Sequence, residues 1–142
     1  MNNWRFWGKL DNIQEYEGFV YKITNNISGK FYIGKKNFFS KQNKPLTKTE
    51  LAEQTDKRKS KKKLVIKESN WQTYWGSNKE LLEDVKKLGE DKFDKQILIL
   101  CKTKKSLTYY ELHYQCKYEC LVSPMFSYND NILGKFFPKD LQ

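Results

Sequence analysis

The stretch Gly18–Lys36, GFVYKITNNISGKFYIGKK, decides how the chain is read. Phe19–Ile23 and Phe31–Ile33 are aromatic and β-branched runs, and Thr24–Lys30 between them has the composition of a turn. Side chains bulky at Cβ favour extended backbone, whereas Asn, Ser and Gly supply turn geometry, so the stretch is a β-hairpin. It places one tyrosine on each strand, Tyr21 and Tyr32, with Gly34 where the second strand ends and Lys35 and Lys36 directly after it. Cross-strand aromatic packing accounts for two tyrosines. It does not account for the glycine and the two cations beside them.

Working outward, residues 1–17 are a polar and aromatic lead-in, with Trp4, Phe6 and Trp7 expected on the outside of the domain. Residues 36–70 form a basic insert. Thr47 followed by Glu50 is a capping pair that predicts a short helix to about Thr55. Six of the seven residues Lys57–Lys63 are basic, a block that repels itself and is expected to be mobile without a partner. Beyond it, Trp71, Tyr74 and Trp75 make an aromatic patch. Leu81, Leu82, Val85 and Leu88 then form a helical stripe stopped by Gly89. Phe93–Cys101 reads as a third, well-buried strand, and a long helix is expected from about Lys105 to Val122 before Pro124. The predicted fold is α/β (α+β): a small three-stranded antiparallel sheet flanked by helices, in a single domain, with the insert after the first hairpin.

Net charge is +10, and its distribution matters more than its size. Lys30–Asn70 holds 13 Lys/Arg against 4 Asp/Glu, while the rest of the chain is nearly balanced at 14 against 13. A localised positive field implies a polyanionic partner, nucleic acid before an anionic membrane surface. No apolar run approaches the ~20 residues of a membrane helix, and the N-terminus lacks a signal-peptide core. The odd cysteine count, three, fits reduced thiols and a cytoplasmic location.

Phosphate-loop, serine-hydrolase and metalloprotease motifs are missing from the sequence. His113, Cys116 and Cys120 follow one another on the predicted last helix, and with Cys101 they number enough for a zinc site. Ligands strung along two turns of one helix converge poorly, so buried thiols and a packed histidine are the simpler account. Glu111 stands out differently. It is a carboxylate on a helix otherwise lined by tyrosines and leucines, sharing a stripe with Gln115 and Tyr118, and it needs a cation or a metal as partner.

Phe19-Val20-Tyr21, ten residues, and then Tyr32-Ile33-Gly34-Lys35 resembles the GIY-YIG nuclease family, in its phage-type, homing-endonuclease-like branch. Glu111 sits where that family keeps a metal-binding glutamate, and Asn129 where a late asparagine supports the site. The resemblance spans essentially the whole chain. It implies an endonuclease that hydrolyses DNA with Mg2+ (or Mn2+) held by Glu111, Tyr21 as general base, and Tyr32 and Lys35 assisting. A phenol of pKa ~10 needs neighbouring cations to act as a base at neutral pH, and Lys35 is one candidate. The family's arginine after the Tyr-Ile-Gly is missing, since residues 36–42 read KNFFSKQ. Either Arg58 from the insert or a lysine such as Lys41 would stand in, and lysine lacks the bidentate fork.

The expected DNA contacts are Lys36, Lys41, Lys57, Lys59, Lys61, Lys62 and Lys63 on phosphates, with Trp71 and Tyr74 as stacking surface. One active site suits a monomer or weak homodimer that nicks. The competing reading is a non-catalytic DNA- or RNA-binding protein using the same basic insert and aromatic patch.

Overall fold

The computed structural model describes residues 3–54, 61–123 and 125–141. The chain divides into two compact units, one made of residues 1–38 and 70–142 and the other of residues 39–69.

The larger unit is built on strands β1 (Gly18–Asn25), β2 (Phe31–Asn37) and β5 (Phe93–Cys101), in the order β2-β1-β5 and antiparallel throughout. β2 runs three residues past Gly34, so the glycine lies within the strand and pairs with Tyr21. The register between β1 and β5 slips between Val20 and Tyr21. Such a bulge bends a strand and re-aims the side chain beside it. Both outer edges of this sheet are partly covered. Arg5 bridges β5, with its N–H donating to Lys95 O at 2.7 Å, and Tyr128 N–H donates to Phe31 O at 2.6 Å on the β2 side. These segments shorten the stretch of unpaired edge at each side.

The two faces of the sheet have separate cores. On one, Val20, Ile33 and Cys101 meet Leu107 and Cys120, all buried, under helix α3 (Lys104–Lys117). On the other, Phe19 packs edge-on against Trp4 at 5.1 Å and tilted against Phe38 at 5.1 Å, and Phe38 packs on Trp71 at 5.0 Å. Helix α2 (Lys79–Leu88) buries Leu81 and Val85 and ends at Gly89, whose φ of 98° is open to glycine and strained for other residues. Its N-terminus is capped by Asn78, which also donates to Tyr128 O at 2.8 Å.

Other expectations need correction too. Trp4 is core, 7% exposed, because its indole N–H reaches Trp71 O at 2.6 Å and its ring covers Phe19. The last helix stops at Lys117, five residues early. Glu119 turns left-handed at φ 54° and Cys120 N–H closes onto Gln115 O, which swings Cys120 and Leu121 inward for burial. Trp71 is 3% exposed and wedged between Phe38 and Phe19, so it has no face to offer a base.

The smaller unit is a two-stranded antiparallel ribbon, β3 (Phe39–Pro45) with β4 (Lys62–Glu68), and a short helix α1 (Lys48–Glu53) carrying the expected Thr47/Glu50 capping box. Lys61, Lys62 and Lys63 were expected in a mobile block. Instead Lys62 and Lys63 are in β4, and Lys61 O accepts from the Leu46 N–H at 2.9 Å. Lys63 is engaged by both Glu50 carboxylate oxygens, at 2.7 and 2.9 Å, so it is less available to phosphate than a solvated lysine. Lys57, Arg58 and Lys59 lie outside the described residues.

Candidate active site

Tyr21 and Tyr32 face each other because of Gly34. The pleat puts alternate residues on one face, and the β1–β2 register pairs Tyr21 with Gly34 and Tyr32 with Ile23. Both phenols therefore sit on the same side, their rings 6.1 Å apart. A Cβ at Gly34 would lie 2.6 Å from the Tyr21 hydroxyl and 2.9 Å from the Tyr32 ring. Gly76 closes the same space, where a Cβ would come within 3.2 Å of the Tyr21 hydroxyl. Tyr74 completes the cluster, its ring 6.2 Å from Tyr21 and carrying Lys36 Nζ 4.1 Å from its centroid.

A cavity of about 460 Å³ opens beside this cluster, and its wall includes Tyr32, Glu111, Gln115 and Asn129. Ser77 and Lys79, at the start of α2, line it too. Glu111 and Gln115 reach it from consecutive turns of α3. Asn129 is buried and does not present a free amide: Oδ1 accepts from Ile33 N–H at 2.9 Å, and Nδ2 donates to Ile33 O at 2.8 Å. Gln115 Nε2 donates to the same carbonyl at 3.0 Å, while its Oε1 has no partner among the described residues.

Lys35 serves Glu111 rather than Tyr21. Its ammonium is held by Thr108 Oγ1 at 3.1 Å. Burial pushes the Glu111 carboxyl up, and the Lys35 charge and backbone amide pull it back. Burial likewise pushes the Tyr21 phenol well above the ordinary range, and the neighbouring Tyr32, Tyr74 and Glu111 add to the rise. The tyrosine expected to be lowered by cations is thus raised by its surroundings. Tyr32 is raised less uniformly, because burial lifts it and a hydrogen bond with Ser77 lowers it.

Of the residues singled out from sequence, Tyr32, Glu111 and Asn129 line one cavity, Tyr21 lies behind Gly34, and Lys35 supports Glu111. The family model described as "Putative endonuclease segE, GIY-YIG domain" matches residues 4–132. The chain belongs to the GIY-YIG family. No curated protein and no solved structure matches it.

The matched family is described as an endonuclease domain, and the match covers both strands that carry Tyr21 and Tyr32. Most of the other lining residues escaped the sequence reading, Ser77, Lys79 and Gln115 among them. Ser77 and Lys79 looked like parts of a helix start, and only the fold brings that start to Glu111. Gln115 had a signal, its place one turn after Glu111 on the same stripe.

The residues fit a hard divalent ion. Burial raises the pKa of the half-buried Glu111 carboxyl, and the wall around it, apart from the Lys79 ammonium and the Leu133–Gly134 tip, offers hydroxyl, amide and carboxylate oxygens. Mg2+ commonly takes one or two protein carboxylates and completes its shell with water and substrate phosphate. Among the described residues, no group of three or more His, Cys, Asp or Glu is placed to hold a metal ion.

Proposed function

We propose that this GIY-YIG domain is a metal-dependent DNA endonuclease that hydrolyses a phosphodiester held at the Glu111 cavity. The observation carrying this reading is that Tyr32, Glu111, Asn129 and Lys79, from four separate parts of the chain, line one cavity.

Glu111 would hold Mg2+ or Mn2+. When bound, such an ion neutralises the scissile phosphate and its departing oxygen and eases loss of a proton from nearby water or phenol. Tyr32, at the cavity wall, orients the attacking water, and Tyr21 behind it takes the proton once the local charge favours phenolate. Lys35 offsets part of the rise that burial imposes on the Glu111 carboxyl. Lys79 supplies the cation that the missing family arginine would have given, as a point charge without a fork. Asn129 and Gln115 fix the backbone at Ile33, between Tyr32 and Gly34, so that the tyrosine is held rigidly.

DNA contacts come from the basic ribbon. Two-stranded ribbons fit the B-DNA major groove, and Lys41, Lys61 and Lys62 would position phosphates there. No helix among the described residues is long and apolar enough to cross a membrane.

The test is supercoiled plasmid with the protein in Mg2+ and in EDTA, beside Glu111→Gln and Tyr32→Phe. Nicking that needs Mg2+ and disappears in both variants is expected. Nicking that survives EDTA or both substitutions overturns the mechanism, and binding without any nicking would favour the non-catalytic reading.

A further inference from the structure

Beyond Ile132, where the family match ends, the chain forms a small arm, LGKFFPKDL, whose first two residues line the Glu111 cavity. Ile132 and Phe136 bridge antiparallel, and Lys135 N–H donates to Ile132 O at 3.1 Å, so Leu133 and Gly134 form the tip of a tight hairpin turn. Both tip residues have positive φ, 60° for Leu133 and 66° for Gly134, as a type I′ turn requires. Asn, Asp or Gly normally fill the first of these places, and a branched apolar residue there is an outlier.

Leu133 is not placed there to fill a core. It is 42% exposed, and Phe136 and Phe137 beside it are exposed as well. Lys135 and Lys139 flank them, with Lys139 Nζ 6.0 Å from the Phe137 ring. The turn is braced, since Gly134 N–H donates to Asn131 Oδ1 at 2.9 Å. The arm therefore presents a strained, rigid, apolar tip between cations at the wall of a cavity that would hold a scissile phosphate.

We infer that the 132–137 turn is a DNA wedge: Leu133 inserts into the base step next to the bound phosphate, and Lys135 and Lys139 hold the flanking backbone. Apolar side chains on rigid turns unstack and kink duplexes in this way, and the deformation widens access to the backbone being cut. The inference rests on the nuclease reading for its choice of DNA as occupant.

The experiment uses the full chain on an end-labelled AT-rich duplex, with Glu111→Gln to stop cleavage. Permanganate, which oxidises unstacked thymines, is the probe. Hyperreactive thymines are expected in the Glu111→Gln complex. They fall by roughly tenfold when Leu133→Gly is added and persist with Leu133→Phe, while gel-shift affinity changes much less. Glycine is favoured at this φ, so loss of fold is not an alternative explanation. Absence of hyperreactivity in the parent, or a pattern that Leu133→Gly leaves unchanged, overturns the wedge. Plasmid nicking by the wild type is scored separately. Nicking with a Leu133-independent pattern overturns the wedge alone, and Leu133-dependent unstacking without nicking overturns the nuclease reading alone.

Discussion

The Asn129 carboxamide brackets both backbone polar groups of Ile33, accepting from its N–H at 2.9 Å and donating to its carbonyl at 2.8 Å. The strand is thereby clamped at the residue between Tyr32 and Gly34, from 96 residues away in sequence. Removing the amide leaves a buried N–H without its partner, at a cost of about 1–3 kcal/mol. Asn129→Ala should therefore lower stability by about that amount in urea titrations. It should also reduce nicking under conditions where the protein remains folded. Asn129→Asp keeps the acceptor for Ile33 N–H but sets a second acceptor against the carbonyl, so it should not rescue. Full activity in the alanine variant would show that the clamp is structural only.

Glu111 and Lys79 line the same cavity but are assigned opposite tasks. Glu111→Gln should abolish Mn2+ binding, read by electron paramagnetic resonance of the free ion, and lower nicking by about 10³-fold or more, while DNA binding is kept. Lys79→Ala should leave Mn2+ binding intact and lower nicking by roughly 10²-fold, the scale of losing one electrostatic contact to a developing charge. If Lys79→Ala nicks normally, the stabilising cation lies elsewhere, and Arg58 becomes the residue to replace.

The hairpin, the last strand and α2 were legible because their signals are local: β-branched and aromatic runs, a cap, a stripe, a stop glycine. Glu111 stood out as a carboxylate among tyrosines and leucines, whereas Asn129 was singled out only through the family pattern. Lys79, Ser77 and the burial of Trp71 were not legible, because each depends on which distant segment the fold brings alongside. The insert misled for a related reason. Its apolar run Leu64, Val65 and Ile66 is too short to outweigh a run of charge, yet β4 pairs with β3 over seven residue positions. The expected helix end failed where a left-handed Glu119 buries Cys120, a choice made by packing rather than by propensity.

Lys95 is the residue through which pH should act on stability. Its ammonium is buried between Trp4 and Trp75, 4.2 and 4.4 Å from their ring centroids, with no hydrogen-bond partner among the described residues. Burial lowers its pKa from 10.5 to about 8. A lysine whose folded pKa lies below its unfolded one penalises the fold while it is charged. That penalty is fully present below about pH 8 and is relieved as pH rises from about 8 towards 10.5. Stability should rise across the lower part of this window, by up to a few kcal/mol less what the two indoles return as cation–π attraction. Lys95→Met should be more stable than wild type at pH 7 and should lose the rise. Parallel melting curves of the two proteins from pH 7 to 9.5 would refute this account.

Gly34→Ala tests whether the two phenols must share their present space. The added Cβ would meet the Tyr21 hydroxyl at 2.6 Å and the Tyr32 ring at 2.9 Å. Neither ring is free to swing away, because Trp4 packs on Tyr21 with centroids 5.1 Å apart and Tyr32 is hydrogen-bonded to Ser77. Overpacking of this kind costs about 1–3 kcal/mol, and a shift near 1 Å in a catalytic group costs about 10²-fold in rate. Gly34→Ala is therefore expected to nick about a hundredfold more slowly, with Mn2+ binding at Glu111 retained. Gly29→Ala is the matched control. Its Cβ meets nothing within 4 Å, but its φ of 79° is strained for alanine. It should lose stability on the order of 1 kcal/mol and keep its activity. If both variants lose activity in step with stability, the glycine between the tyrosines matters to folding and not to the chemistry.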